Sequence, residues 1–209
     1  MPIYCDESGG VGRGVMTLAA LSIEPEAADN ILLRFRELTG LTSELKGSRI
    51  DLTERALLFK LLESSDWNAT VGIAISALKP EPGEDRGDHD IAIYSRLLDD
   101  VIGSMLDVGG IACSDVVIDD GRYGVETLKL VRNSVGRLVG PLGTASLAVS
   151  HILAGLQLAD VIANSFFNRA MVTERQARLA AIVAPFLEIG KIKLRLLSGD
   201  TEHDDQRSE

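Results

Sequence analysis

The apolar positions of the chain switch between a period of two and a period near 3.6, and the switches predict the elements. Residues 2–7 and 14–23 are short apolar runs around a glycine-rich loop (Gly9, Gly10, Gly12, Gly14), which predicts an antiparallel strand pair. Pro25 then opens a helix to about Leu38, with Ile31, Leu32 and Phe35 along one face. After a loop from Gly40 to Asp51, a second helix is expected over Thr53–Glu63, with Thr53 as its cap, and then a strand over residues 69–78. Lys79–Gly87 carries prolines and glycines and reads as a surface loop. Asp88 is placed as the cap of a long helix with Ile91, Tyr94, Leu98, Val101, Ile102 and Met105 at helical spacing.

The run Ile111–Ile118 is nearly continuous in apolarity, as suits a strand covered on both faces, and it ends in Asp119-Asp120-Gly121. Further elements follow: a helix over 123–139, a strand over 145–151, a helix over 154–169, and a helix to about Leu187 that Thr173 and Gln176 would open as a capping box. Lys191–Leu197 alternates as a half-exposed strand. Two early strands followed by alternating helices and strands make an α/β mixed sheet with helices on both faces. Residues 1–198 are expected to form one domain, and 199–209 an acidic, disordered tail.

Composition narrows this only in part. The chain has 209 residues, 45% hydrophobic and 25% charged, as a globular protein does. No apolar run is long enough to span a membrane, and the start lacks a signal segment, so a cytoplasmic protein is expected. Cys5 and Cys113 lie in apolar runs and read as buried thiols; neither has zinc-ligand spacing. The net charge is −10, but the tail and the acids Asp6, Glu7, Glu44, Asp119, Asp120 and Asp160 account for it, and the rest of the chain is neutral. Charge neither excludes a nucleic-acid partner nor argues for one.

The chemistry sits at the ends of strands. Asp6-Glu7-Ser8 closes the first strand, and an acid there is costly unless a basic group, backbone amides or a metal ion offsets its desolvation. Glu44, Asp119 and Asp160 stand at similarly awkward places. Ligands of such sheets collect where the carboxyl ends of strands diverge, and Asp6 and Asp119 lie at such ends. Neighbouring residues on a strand face opposite ways, so one of Asp6 and Glu7, and one of Asp119 and Asp120, should enter a shared pocket; we favour the first of each pair. Asp160 shares a helical stripe with Leu156, Ala163 and Phe167.

Each residue also has a plainer explanation. Asp160 could pair with Arg169 or Arg122, Asp119 could serve a turn, and Glu44 could be a surface acid paired with Lys46. Ser8 has no GxSxG context and reads as a helper of the turn or of a site acid. His151 reads as a core histidine on a strand. Trp67 and Tyr123 are isolated aromatics that make no stacking platform. Lys191, Lys193 and Arg195 on one strand face, and Arg34, Arg36, Lys46 and Arg49 near the first helix, are the basic groups available to a phosphate backbone.

Taken together, four segments resemble the DUF3800 family: Asp6-Glu7-Ser8-Gly9, Glu44-Leu45-Lys46 with Gly47-Ser48, Val117-Ile118-Asp119, and Leu156-Gln157-Leu158-Ala159-Asp160. The resemblance runs from the N-terminus to about Arg169. It implies a ribonuclease-H-like fold in which Asp6, Glu44, Asp119 and Asp160 converge on two Mg²⁺ or Mn²⁺ ions, with Glu7, Ser8, Lys46 and Asp120 as accessory residues. It also implies phosphodiester hydrolysis of RNA or DNA, because paired dications with oxygen ligands activate water and stabilise the leaving oxygen. One departure stands out: such sequences often carry Asp-Ser before the late helix, where this chain has Val149-Ser150. The alternatives are a small-nucleotide phosphoesterase and a non-catalytic binding module of the same fold.

Overall fold

A computed structural model describes residues 1–75, 85–109 and 115–197. The Lys79–Gly87 loop up to residue 84, the start of the Ile111–Ile118 run with Cys113, and the acidic tail lie outside the described residues. Strands β1 (Ile3–Gly10), β2 (Val15–Ile23), β3 (Trp67–Ile75), β4 (Asp115–Asp119), β5 (Thr144–Ala148) and β6 (Ile192–Leu197) form one sheet in the order β5-β4-β1-β2-β3-β6. β2 runs antiparallel to both β1 and β3, while β4 lies parallel to β1, β5 to β4 and β6 to β3. The sheet is therefore mixed, with β2 as its single reversed strand.

Among the described residues six helices cover it: α1 (Pro25–Thr39), α2 (Leu52–Leu62), α3 (Arg86–Gly109), α4 (Val125–Val139), α5 (Ala154–Ala170) and α6 (Gln176–Glu188). α1, α2, α5 and α6 pack on one face around Tyr4, Leu21, Phe35, Phe59, Trp67 and Phe166. α3 and α4 pack on the other around Cys5, Leu18, Leu97, Val101 and Ile118. The strands alternate between these two cores as the pleat requires, with Tyr4 on one side and Ile3 and Cys5 on the other.

Several helix starts differ from those the sequence predicts. Asp51, not Thr53, caps α2: its carboxylate accepts from the Glu54 N–H, and the Glu54 carboxylate accepts from the Asp51 N–H, a reciprocal box. Asp85 accepts from the N–H groups of Gly87 and Asp88, so α3 begins before Asp88. Thr173 forms no capping box on α6; Gln176 donates its side-chain amide to the Arg169 carbonyl instead. β5 ends at Ala148, which leaves His151 exposed in a 3₁₀ turn (Ser150–Ile152) rather than in the core.

α5 brings the late acid of the sequence over the first strand. It lies along β1 because two glycines allow close approach: a Cβ at Gly155 would stand 2.4 Å from the Tyr4 ring, and one at Gly9 2.5 Å from the Phe167 ring. Between those contacts α5 rises about 18 Å and β1 about 17 Å, so helix and strand stay in step. Asp160 and Asp6 each lie about 7 Å along from the Tyr4–Gly155 contact on these same rises, which sets one above the other. Thr17 of β2 fixes the arrangement by donating to the Ala163 carbonyl at 2.8 Å.

Candidate active site

The register of β1 and β4 pairs Tyr4 with Val117 and Cys5 with Ile118, so Asp6 and Asp119 are the next residues along neighbouring parallel strands. Both side chains leave the sheet on the α5 side, as Tyr4 and Val117 do. Both are buried, at 5% and 8% exposure. One oxygen of each is satisfied locally: Asp6 Oδ1 accepts from the Glu7 N–H at 2.7 Å, and Asp119 Oδ2 from the Gly121 N–H at 3.2 Å. The other two, Asp6 Oδ2 and Asp119 Oδ1, are buried with no hydrogen-bond partner. Buried polar atoms are paired in the great majority of cases, so two orphaned carboxylate oxygens just past the last paired residues of β1 and β4 require an explanation.

Asp160 completes the group from above. Its Oδ2 accepts from the Gly47 N–H at 2.7 Å. The carboxylates sense one another. Burial, then the charges of Glu7, Asp160 and Asp119, push the Asp6 carboxyl well above its ordinary range, against an opposing pull from Lys46. Burial also raises Asp160, with Asp119 adding to the shift, while the Gly47 N–H, Lys46 and Arg55 oppose it. The arginines that could have paired with Asp160 are occupied elsewhere: Arg122 pairs with Asp90 and Glu7, and Arg169 lies over the Phe166 ring.

Glu44 does not join the three aspartates directly. It accepts from Ser150 Oγ at 2.7 Å and pairs with Lys46 Nζ at 3.1 Å. Burial acts to raise it, but these two hydrogen bonds win and its carboxyl is lowered. Lys46 stands between the groups: it also donates to Ser150 Oγ at 2.9 Å and is raised by Glu44, Asp160 and Asp6 against its own burial. Among the described residues no three His, Cys, Asp or Glu side chains are close enough to hold a metal ion, so the expected four-acid ligand set is not assembled in this arrangement. The chemistry nevertheless fits a hard divalent cation. The donors are carboxylate oxygens, and two of them are buried and unclaimed.

The accessory residues divide by face. Glu7 points to the α3 side, where it meets Arg122 Nη1 at 3.5 Å. Burial, partly offset by Arg122, pushes its carboxyl up to about 7. Ser8 faces α5 and accepts from Asn164 Nδ2 at 3.0 Å. Asp120 is partly exposed, and its N–H continues the pairing to the Ala148 carbonyl. Val149 is 39% exposed beside the 3₁₀ turn, and Ser150 alone carries polar contact from that pair to Glu44 and Lys46. Lys191 and Arg195 pair with Asp66 and Asp100 on the far edge of the sheet, where β6 lies three strands from β1. They do not approach the acids.

The polar clamp around Asp160 escaped the sequence reading. Gln157, Asp160 and Asn164 lie on one face of α5 and grip the 44–48 loop. Gln157 Oε1 accepts from the Leu45 N–H at 3.0 Å, Asp160 from Gly47, and Asn164 fills the space where a Gly47 Cβ would stand, 2.6 Å from its own Cβ. Arg55 of α2 closes the clamp, donating to the carbonyls of Gly47 and Val161, to Ser165 Oγ and to Asn164 Oδ1. The one available signal was the i, i+3, i+7 spacing of Gln157, Asp160 and Asn164 within an otherwise apolar helix.

No family model matches the chain, and no curated protein sequence matches it significantly. Solved structures do match. One is the structure of the PCNA:RNase HII complex from Archaeoglobus fulgidus, at 11% identity and a TM-score of 0.50, covering 91% of this chain and 77% of that one.

The fold is ribonuclease-H-like. At this identity the likeness speaks to architecture alone, and the residues must carry any further claim. In the ribonuclease-H-like frame of this chain, three acids remote in sequence come within electrostatic reach of one another, where the pairing of β1 with β4 ends beneath α5. No described helix is long and apolar enough to cross a membrane.

Proposed function

We propose that the protein is a divalent-metal-dependent nuclease that hydrolyses phosphodiester bonds of RNA or DNA. The observation that carries this reading is the pair of buried, unpartnered oxygens on Asp6 and Asp119, beside each other on β1 and β4 and within electrostatic reach of Asp160. Such an arrangement is unfavourable by itself, because like charges in a poorly solvated site raise one another's proton affinity. A divalent cation relieves it. The resemblance to the DUF3800 family supports the same assignment.

In this reading Asp6 and Asp119 hold Mg²⁺ or Mn²⁺ with their free oxygens, and Asp160 contributes from α5, oriented by the Gly47 N–H. When bound, such ions supply Lewis acidity toward phosphoryl oxygens and an acidified water. Lys46 and Ser150 hold Glu44, and Lys46 is itself within electrostatic reach of Asp6 and Asp160. A second reading, a non-catalytic module of the same fold, draws on one feature: Lys46 already supplies a positive charge to Asp6 and Asp160.

Incubation with labelled RNA and DNA in Mn²⁺, Mg²⁺ or EDTA separates the two. Metal-dependent cleavage that disappears in Asp6→Asn and Asp119→Asn supports the nuclease. Turnover of nucleotides without polymers would narrow the substrate to small phosphoesters. Absence of any turnover in well-folded protein would favour the binding module.

A further inference from the structure

On the other side of the Gly47 peptide from Asp160 lies a cleft of about 140 Å³, lined by Gly47, Arg55, Asn164, Arg13 and Arg175 among others. Three guanidinium groups border this one small space. Arg55 is 3% exposed, and all four of its hydrogen bonds go to neutral oxygens. Arg13 and Arg175 are exposed, and their side chains make no hydrogen bond or ion pair among the described residues. Burial lowers the proton affinity of Arg55 to about 10, with the charge of Asp160 opposing and that of Arg175 adding to the shift. A buried cation that no carboxylate meets directly is an unfavourable feature for a fold to retain.

The chemistry of the lining selects the ligand. Guanidinium forks match the tetrahedral oxygens of a phosphate, and several around one point neutralise more than a single charge. The start of α2 borders the same cleft, with the positive end of its dipole. Asp51, the one acid in the lining, is already committed to capping α2 through the Glu54 N–H. The volume sets the scale: drug-sized ligands occupy roughly 300–1,000 Å³, so this cleft takes an ionic headgroup and not a whole nucleotide.

We propose that the cleft between Arg13, Arg55 and Arg175 binds a phosphate group of the substrate, one residue away from Asp160. That the phosphate belongs to a nucleotide or nucleic acid rests on the proposed nuclease function; that the cleft takes phosphate does not. Gly47 links the two sites, since its N–H is held by Asp160 and its carbonyl by Arg55. A phosphate in the cleft would thereby fix the loop that carries Glu44 and Lys46.

The test is calorimetric titration of inorganic phosphate into the whole chain in EDTA, at constant ionic strength with chloride as reference. The wild type should show saturable binding. Arg13→Ala combined with Arg175→Ala should weaken it at least tenfold, and these exposed residues are not needed for folding. Arg132→Ala combined with Arg137→Ala, which removes the same charge from α4, should leave it unchanged, as should Asp6→Asn. Short oligothymidylates with and without a 5′-phosphate then tell a terminal phosphate from a backbone one. Absence of phosphate binding, or equal weakening by both arginine pairs, overturns the proposal even if the nuclease is active. Binding that survives in a chain that cleaves nothing upholds the cleft and removes the nuclease.

Discussion

Asp6 and Glu7 are neighbours on one strand, and the two faces of the sheet treat them in opposite ways. Glu7 enters the α3 side and meets Arg122, which also binds Asp90 at 2.8 Å and the Gly9 carbonyl at 2.9 Å, while Tyr123 donates to Asp90 at 2.7 Å. Asp6 enters the α5 side and keeps an oxygen that nothing satisfies, next to Asp119, which does the same. The first face resolves a buried acid within the fold. The second leaves the charge for something else to resolve. A buried acid by itself therefore says little about chemistry; an acid whose partner is missing says much more.

Substitutions should separate the faces, and the largest effect concerns activity. Asp6→Asn or Asp119→Asn should lower metal-dependent cleavage by at least about 100-fold, since even residues that only orient metal ligands are worth 10–100-fold. Glu7→Gln should keep cleavage within a few-fold of wild type. Steady-state rates on one labelled substrate measure both, and an equal loss in Glu7→Gln would erase the distinction between the faces.

Next in size is the clamp behind the acids. Arg55→Leu removes four buried hydrogen bonds and strands the Gly47 carbonyl, while Ser165 Oγ still serves the Val161 carbonyl and Asn168 Nδ2 serves Asn164 Oδ1; it should destabilise the fold by about 3 kcal/mol. Chemical denaturation would read it. On the opposite face, Arg122→Ala takes the cation away from Glu7 and should be destabilising by about 2 kcal/mol. In that variant cleavage should survive wherever the fold does.

The smallest effect is a pH dependence. Asp6 and Asp160 are raised in the folded state, so their favourable contribution is present at low pH and disappears as pH rises through the folded values. Glu7 follows the same sign, between its ordinary 4.5 and about 7. In EDTA the stability of Asp6→Asn relative to wild type should accordingly grow from pH 5 to 8. Melting curves of the two proteins across that range check it, and a constant difference would argue against a strained aspartate.

Much of the frame was legible in the chain. The pairing of β1 with β2, the helix from Pro25 and the helix that carries Asp160 follow from apolar spacing and from glycine and proline placement. The strand alternation also separates Asp6 from Glu7. Arg55 was not legible, because nothing in the spacing of Glu54-Arg55-Ala56 tells a buried guanidinium from a surface one; three of its four partners lie more than a hundred residues away on α5. Glu44 shows the converse. Its pairing with Lys46 follows from nearness in sequence, but the hydrogen bond from Ser150 depends on the 3₁₀ turn that replaces the end of the expected strand. His151 was misplaced for that same reason.

The central claim is that Asp6, Asp119 and Asp160 form a place for a divalent cation, and thermal melting with and without Mn²⁺ tests it most directly. At a metal concentration 100 times its dissociation constant, binding stabilises by about 2.7 kcal/mol, or about 5–10 °C for a chain of this size. The account predicts a rise of that order in the wild type and in Glu7→Gln, and none in Asp6→Asn or Asp119→Asn. A wild type indifferent to millimolar Mn²⁺, or a rise that both aspartate variants share, would contradict it.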